Sequence, residues 1–229
     1  MQKIKVKELV EFRRKSTERG KRNFAHKLKT RLPKEKKESD DESGGDYWIT
    51  STSCIYQVIK QDNIDLIDDK ILDLSDRMQA TDNKRSKLMH QRNIDILTSF
   101  KDFNYRELLP LKDYKIEKNS GGQTTIMLKQ FPIVVEPQII FFFERKGKKE
   151  IGAIWLIPLK EGFKKPELGM FSEMLFRFLH KNYSEHYQIA PDYCSAVDTF
   201  NGQKITYSDL QSGNIVHLIE ETLEEINKL

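Results

Sequence analysis

Five large apolar residues in a row, Ile139-Ile140-Phe141-Phe142-Phe143, set the tightest constraint on how this chain folds. Successive side chains of a strand point to opposite faces, so a run this uniformly apolar buries both of its faces. Its β-branched and aromatic composition favours strand over helix. The segment 138–144 is therefore expected as a central strand. The flanking segments 124–129 and 133–136 share its composition, while Pro132 and Pro137 confine these stretches to edges, strand starts or bulges. Arg145-Lys146-Gly147-Lys148-Lys149 reads as a hairpin turn, Gly147 supplying a positive φ, into a strand over 151–157.

Helices are legible on either side of this block. Met170, Phe171, Met174, Leu175, Phe178 and Leu179 repeat in pairs every four residues after Pro166. They predict a core helix over 167–183, its proline in the first turn, lying across the sheet. A strand at 193–200, the dipeptide Asn201-Gly202 and a strand at 203–207 form a further hairpin, read with a type I′ turn. Ser208 with Gln211, or Ser212, then caps a last helix over 213–228, whose Glu220, Glu221, Glu224 and Glu225 face outward. Earlier in the chain, Ser51 or Ser53 caps a short helix. Ile64, Ile67, Ile71, Leu74 and Met78 recur at heptad-like spacing opposite a row of aspartates. With the Lys- and Arg-rich helix over 84–100 they predict an antiparallel helical hairpin over 62–100. Residues 101–122 look irregular. Helices followed by strands with one crossing helix give an α+β class: a mainly antiparallel sheet of five or six strands, packed by the crossing helix and the C-terminal helix.

Charge divides the chain. Residues 1–37 hold ten Lys and five Arg against four Glu, a net +11, whereas the remainder carries −7. Residues 1–32 read as a basic helical arm, in one piece or in two around Gly20, with apolar patches at Val6, Leu9, Val10 and at Phe24, Leu28, Leu32. Residues 33–46 are wholly polar and read as a charged linker, and 47–229 as the folded body. Lysine and arginine clusters meet phosphate. Arg13, Arg14, Lys15, Arg19, Lys21 and Arg22 are accordingly the candidate nucleic-acid contacts. A duller alternative has the arm fold back on its own acidic body. The expected function is that of a non-enzymatic accessory or adaptor subunit of a larger intracellular assembly, holding nucleic acid or an acidic protein partner.

Enzymatic signals are sparse. No HExxH, Walker loop, GxGxxG or GxSxG motif is present. The five histidines show no metal spacing, so no metal and no resident cofactor is expected. Glu144-Arg145-Lys146 at the end of an apolar strand is half of the pattern used by restriction-endonuclease-like enzymes, where two carboxylates hold Mg²⁺ and a lysine orients water. The alternative function is thus a Mg²⁺-dependent nuclease using Glu144 and Lys146 with Asp198 or Glu136 as second carboxylate. Against it, the triplet opens a basic hairpin turn. Cys54 and Cys194 sit in apolar surroundings and read as buried free thiols of a reducing, cytoplasmic compartment. No stretch of about 18 apolar residues exists to cross a membrane.

Overall fold

The computed structural model describes residues 2–32, 47–111, 113–118 and 124–229. The expected linker 33–46 lies outside the described residues. The chain opens with a two-residue strand, β1 (Ile4–Lys5), and two helices, α1 (Val6–Arg13) and α2 (Glu18–Thr30). The break falls at 14–17 rather than at Gly20, because Thr17 caps α2 by accepting from Gly20 N at 3.1 Å. Three helices follow: α3 (Ile49–Gln61), α4 (Leu66–Ala80) and α5 (Lys84–Lys101). Ser51 and Ser53 lie inside α3 and do not cap it. The Ser51 amide, one of the first-turn donors that every helix leaves unpaired, instead meets Asn93 Oδ1 of α5 at 3.0 Å. The same buried Asn93 donates to Tyr47 O and Met89 O, so one amide pins α3 to α5. The α4–α5 hairpin forms as expected, with Asn83 capping α5 and Lys101 paired to Asp68 at 2.7 Å.

The stretch expected to be irregular contains a strand, β2 (Tyr114–Lys118). Then come β3 (Thr125–Leu128), β4 (Phe131–Val134), β5 (Ile139–Arg145), β6 (Lys148–Ile157), α6 (Lys165–Tyr183), β7 (Gln188–Asp198), β8 (Gln203–Thr206), a short α7 (Tyr207–Gln211) and α8 (Ile219–Lys228). The last helix starts six residues later than its sequence pattern implied. Chain reversal after β8 uses Thr206 and Asp209, whose carboxylate accepts from Thr206 N and Oγ1, each at 2.8 Å. The β7–β8 turn holds four residues, since Asp198 pairs with Gln203.

The strands form two mixed, mostly antiparallel sheets, consistent with an α+β fold. The larger runs in the order β2-β5-β6-β7-β8, and the smaller in the order β1-β4-β3. In the larger, β6 and β7 are parallel and joined by α6, while the other pairings are antiparallel. Side chains alternate between two cores. Ile139, Phe141, Phe143, Ile154, Leu156 and Val197 pack with Ile55, Ile59, Ile67, Leu74, Ile96 and Phe100 of the three-helix layer. Ile140, Ile151, Ala153, Ile157, Cys194 and Ala196 pack with α6 and α8 on the opposite face. That second core also takes in Ile4, Val6, Leu9, Val10, Phe12, Ala25 and Leu28, each at most 1% exposed. The segment read as an arm is thus a structural layer of the body. Ile4 pairs with Ile133, making the N-terminus a strand of the small sheet.

Two outcomes follow for stability. In β6, where its register with β7 shifts, a Cβ on Gly152 would stand 2.5 Å from Phe141 Cζ and 2.7 Å from Tyr193 Cβ. Gly152→Ala is expected to lower unfolding free energy by about 1–3 kcal/mol through overpacking, read by denaturant titration. A 47–229 fragment, stripped of α1 and α2, uncovers the apolar face of α6 and α8. It is expected to bind a hydrophobic dye and to aggregate where the full chain does neither.

Candidate polyanion interface

The six candidate phosphate contacts separate into two groups of three. Arg14 makes a two-pronged contact with Glu167, Nε to Oε1 at 2.9 Å and Nη2 to Oε2 at 2.6 Å, and also donates from Nη2 to Gly162 O at 2.7 Å. Arg13 reaches Thr222 Oγ1 at 3.2 Å and Glu221 at 3.8 Å. Lys21 pairs with Glu225 at 2.6 Å. These three cations are paired to the body, and the glutamates expected to face outward from α8 receive two of them. Among the described residues, ion pairs engage Arg13, Arg14 and Lys21 but not Lys15, Arg19 or Arg22, all three of which are exposed. Lys15 rests over the Phe24 ring at 5.1 Å.

This division follows from the helical period of α2. Lys21, Ala25 and Leu28 lie on the side that meets α8, with Ala25 and Leu28 fully buried. Arg19, Arg22, Asn23, His26 and Lys27 lie on the opposite side and are exposed. Burial of the apolar side chains supplies most of the docking energy, at about 1.5–3 kcal/mol per large residue. Exposed ion pairs contribute roughly 0–1 kcal/mol each, and so chiefly set how the helices are rotated. Charge alone does not distinguish a cation that anchors α1 from one that faces solvent; its place relative to the buried stripe does.

Carboxylates gripped by arginine make this layer acid-sensitive. Burial raises the Glu167 carboxyl, but the Arg14 hydrogen bond and the Lys164 amide outweigh it and hold it below the usual glutamate value. Glu8 is held down in the same way by Arg31 and the Lys5 amide. A carboxylate lowered in the folded state contributes stability above its unfolded value of 4.5, and that contribution is lost as pH falls through the folded value. Glu167→Gln is therefore expected to reduce the melting temperature at pH 7 and to flatten its decline below pH 4.5. Parallel acid dependence in wild type and variant would show that the pair contributes nothing.

The nuclease residues do not converge. Glu144 is exposed beside the hairpin tip, opposite Lys149, and Lys146 is exposed at a φ of 54° in the turn itself. Asp198 stands opposite Ile157 at the far end of β6. Eight residues of strand, about 26 Å at 3.3 Å each, separate the two ends. Glu136 precedes β5 and lies at that same far end. The geometry thus corrects the pairing of Glu144 with Asp198 or Glu136, since one ion cannot bridge such a gap. Asp198 is wholly buried and saturated: it accepts from Phe163 N at 3.0 Å, Phe200 N at 3.0 Å, Asn201 N at 3.3 Å and Asn201 Nδ2 at 2.9 Å. It ties the β7–β8 turn to the loop entering α6. No group of three His, Cys, Asp or Glu able to hold a metal occurs among the described residues.

Arg145, at the mouth of the basic hairpin turn, is also held internally. It pairs with Glu150 at 2.7 Å and lies 5.7 Å from the ring centres of both Phe143 and Tyr193. The hairpin tip marks the start of β6, whereas Arg14 grips Gly162, just past its end, so the two basic regions do not merge. Exposed Lys160, Lys164 and Lys165 flank Gly162, whose carbonyl Arg14 grips. Sequence reasoning passed over these three because they belong to the acidic half of the chain. Cys54 and Cys194 are free and buried, and burial pushes the Cys54 thiol up to about 11. No described helix is long and apolar enough to cross a membrane. No protein family matches the chain, and neither does any curated protein or solved structure.

Proposed function

We propose that the chain is a non-enzymatic accessory subunit that binds nucleic acid through the solvent face of α2. The observation carrying this reading is that Lys15, Arg19 and Arg22 remain exposed while neighbouring cations are used up in docking the helix. A helix held rigidly by its apolar side presents its outer cations at fixed spacing, without the ordering cost of a free tail. Glu221 and Glu225 are occupied by Arg13 and Lys21, which reduces the repulsion an approaching polyanion would meet. The free, buried thiols suit a reducing cytoplasmic setting for such a subunit. Among the described residues, no arrangement of carboxylates favours the nuclease reading over this one.

The test uses the full chain with labelled nucleic acid over a salt series. Each phosphate contact contributes about −0.9 to the slope of log affinity against log salt for a duplex. Replacing Lys15, Arg19 and Arg22 together by Ala is expected to weaken binding strongly and to make that slope shallower by about 0.9 for each of the three that meets a phosphate. Replacing Lys146, Lys148 and Lys149 is expected to change little. An unaltered slope in the first variant would sink the assignment.

A further inference from the structure

The arrangement of α1 and α2 carries the reading from a polyanion in general to one kind of nucleic acid. Two helices of 8 and 13 residues are joined by the four residues 14–17, the turn length found in helix-turn-helix units. The shorter helix is embedded, with Val6, Leu9, Val10 and Phe12 buried against the body. The longer offers an outer face free of large apolar groups. At about 100° per residue, Arg19, Arg22, Asn23 and His26 fall within an arc of about 100° on that face. They are side chains that can hydrogen-bond base edges, with arginine matched to guanine O6 and N7 and asparagine to adenine N6 and N7.

We propose that α2 is a recognition helix and that its ligand is duplex DNA, entered through the major groove and read by Arg19, Arg22 and Asn23, with Lys15 and Lys27 on the phosphates. This inference rests on the nucleic-acid reading above. Dimensions agree: 13 residues span about 20 Å, and a helix with its side chains is about 10–12 Å across, against a groove about 12 Å wide. Duplex RNA is disfavoured because its major groove is too deep and narrow for side chains to read. Sequence-tolerant binding of single strands relies on aromatic platforms. The one Phe, Tyr or Trp of α2, Phe24, packs against the core and carries Lys15 over its ring, which leaves His26 as the single exposed ring of the helix. The N-terminal part of α2 is nearest the bases in such a complex; Arg19 lies in its first turn and Arg22 at the start of the second.

The experiment takes the full-length protein through rounds of selection on a random 30-base-pair DNA library. The recovered sequence is then compared as duplex DNA, as duplex RNA and as single strands, and tested with its guanines methylated at N7. We expect a recovered consensus, duplex DNA bound at least about tenfold more tightly than the other two, and binding blocked by methylation in the groove. Asn23→Ala is expected to relax the consensus at one position with the salt slope unchanged, because it removes no charge. Far-UV circular dichroism checks that the helices persist in the variant. Equal binding of all three nucleic acids, indifferent to N7 methylation, would overturn the groove assignment while leaving the polyanion reading intact. Preference for RNA or for single strands would overturn it as well. Absence of binding to any nucleic acid would remove both readings.

Discussion

Burial of the central sheet on both faces is the constraint from which the rest of this structure follows. Phe141 and Ile140, adjacent in β5, point into different cores, so neither face can be left to water. The three-helix layer covers one side. On the other, α6 supplies the main cover, and α1 and α2 complete it together with α8. Without them, the partners of Val6, Leu9, Val10, Phe12 and Leu28 would be open to solvent.

That requirement recasts the basic N-terminus. A segment recruited to close a core cannot behave as a loose tail, and its cations must be sorted by direction. Those on the inner side meet α8 and the start of α6, where Glu167, Glu221 and Glu225 receive them. Those on the outer side remain available to a partner. Part of the net positive charge is answered within the fold, and the remainder is displayed on the exposed side of α2 and the turn before it.

Much of the architecture was legible in the sequence because it rests on local periodicity. The Met and Phe pairs of α6, the Ile and Leu stripe of α4 and the apolar run of β5 announce their own secondary structure. What escaped was set by distant partners. β2 is five residues of mixed polarity, a strand only because it pairs with β5. The short pairing of Ile4 with Ile133 gives no local signal. Asn93 stabilises the start of α3 from 42 residues away in sequence, where no serine does. In the candidate interface, residue types were legible but directions were not, and for that reason Arg13, Arg14 and Lys21 ranked equally with Lys15, Arg19 and Arg22.

The sequence by itself determined the α+β class, the main helices and strands, the buried thiols and the concentration of positive charge at the N-terminus. Each of these depends on composition or on a repeat of two or 3.6 residues. Tertiary structure alone decided that the N-terminal helices belong to the core, that Glu144 and Asp198 stand at opposite ends of β6, and which cations are spent on docking. The physical reason is common to all three. A side chain's partner is fixed by which surfaces must be covered once the sheet has formed, and that is a property of the whole assembly of elements, which no local stretch of residues encodes.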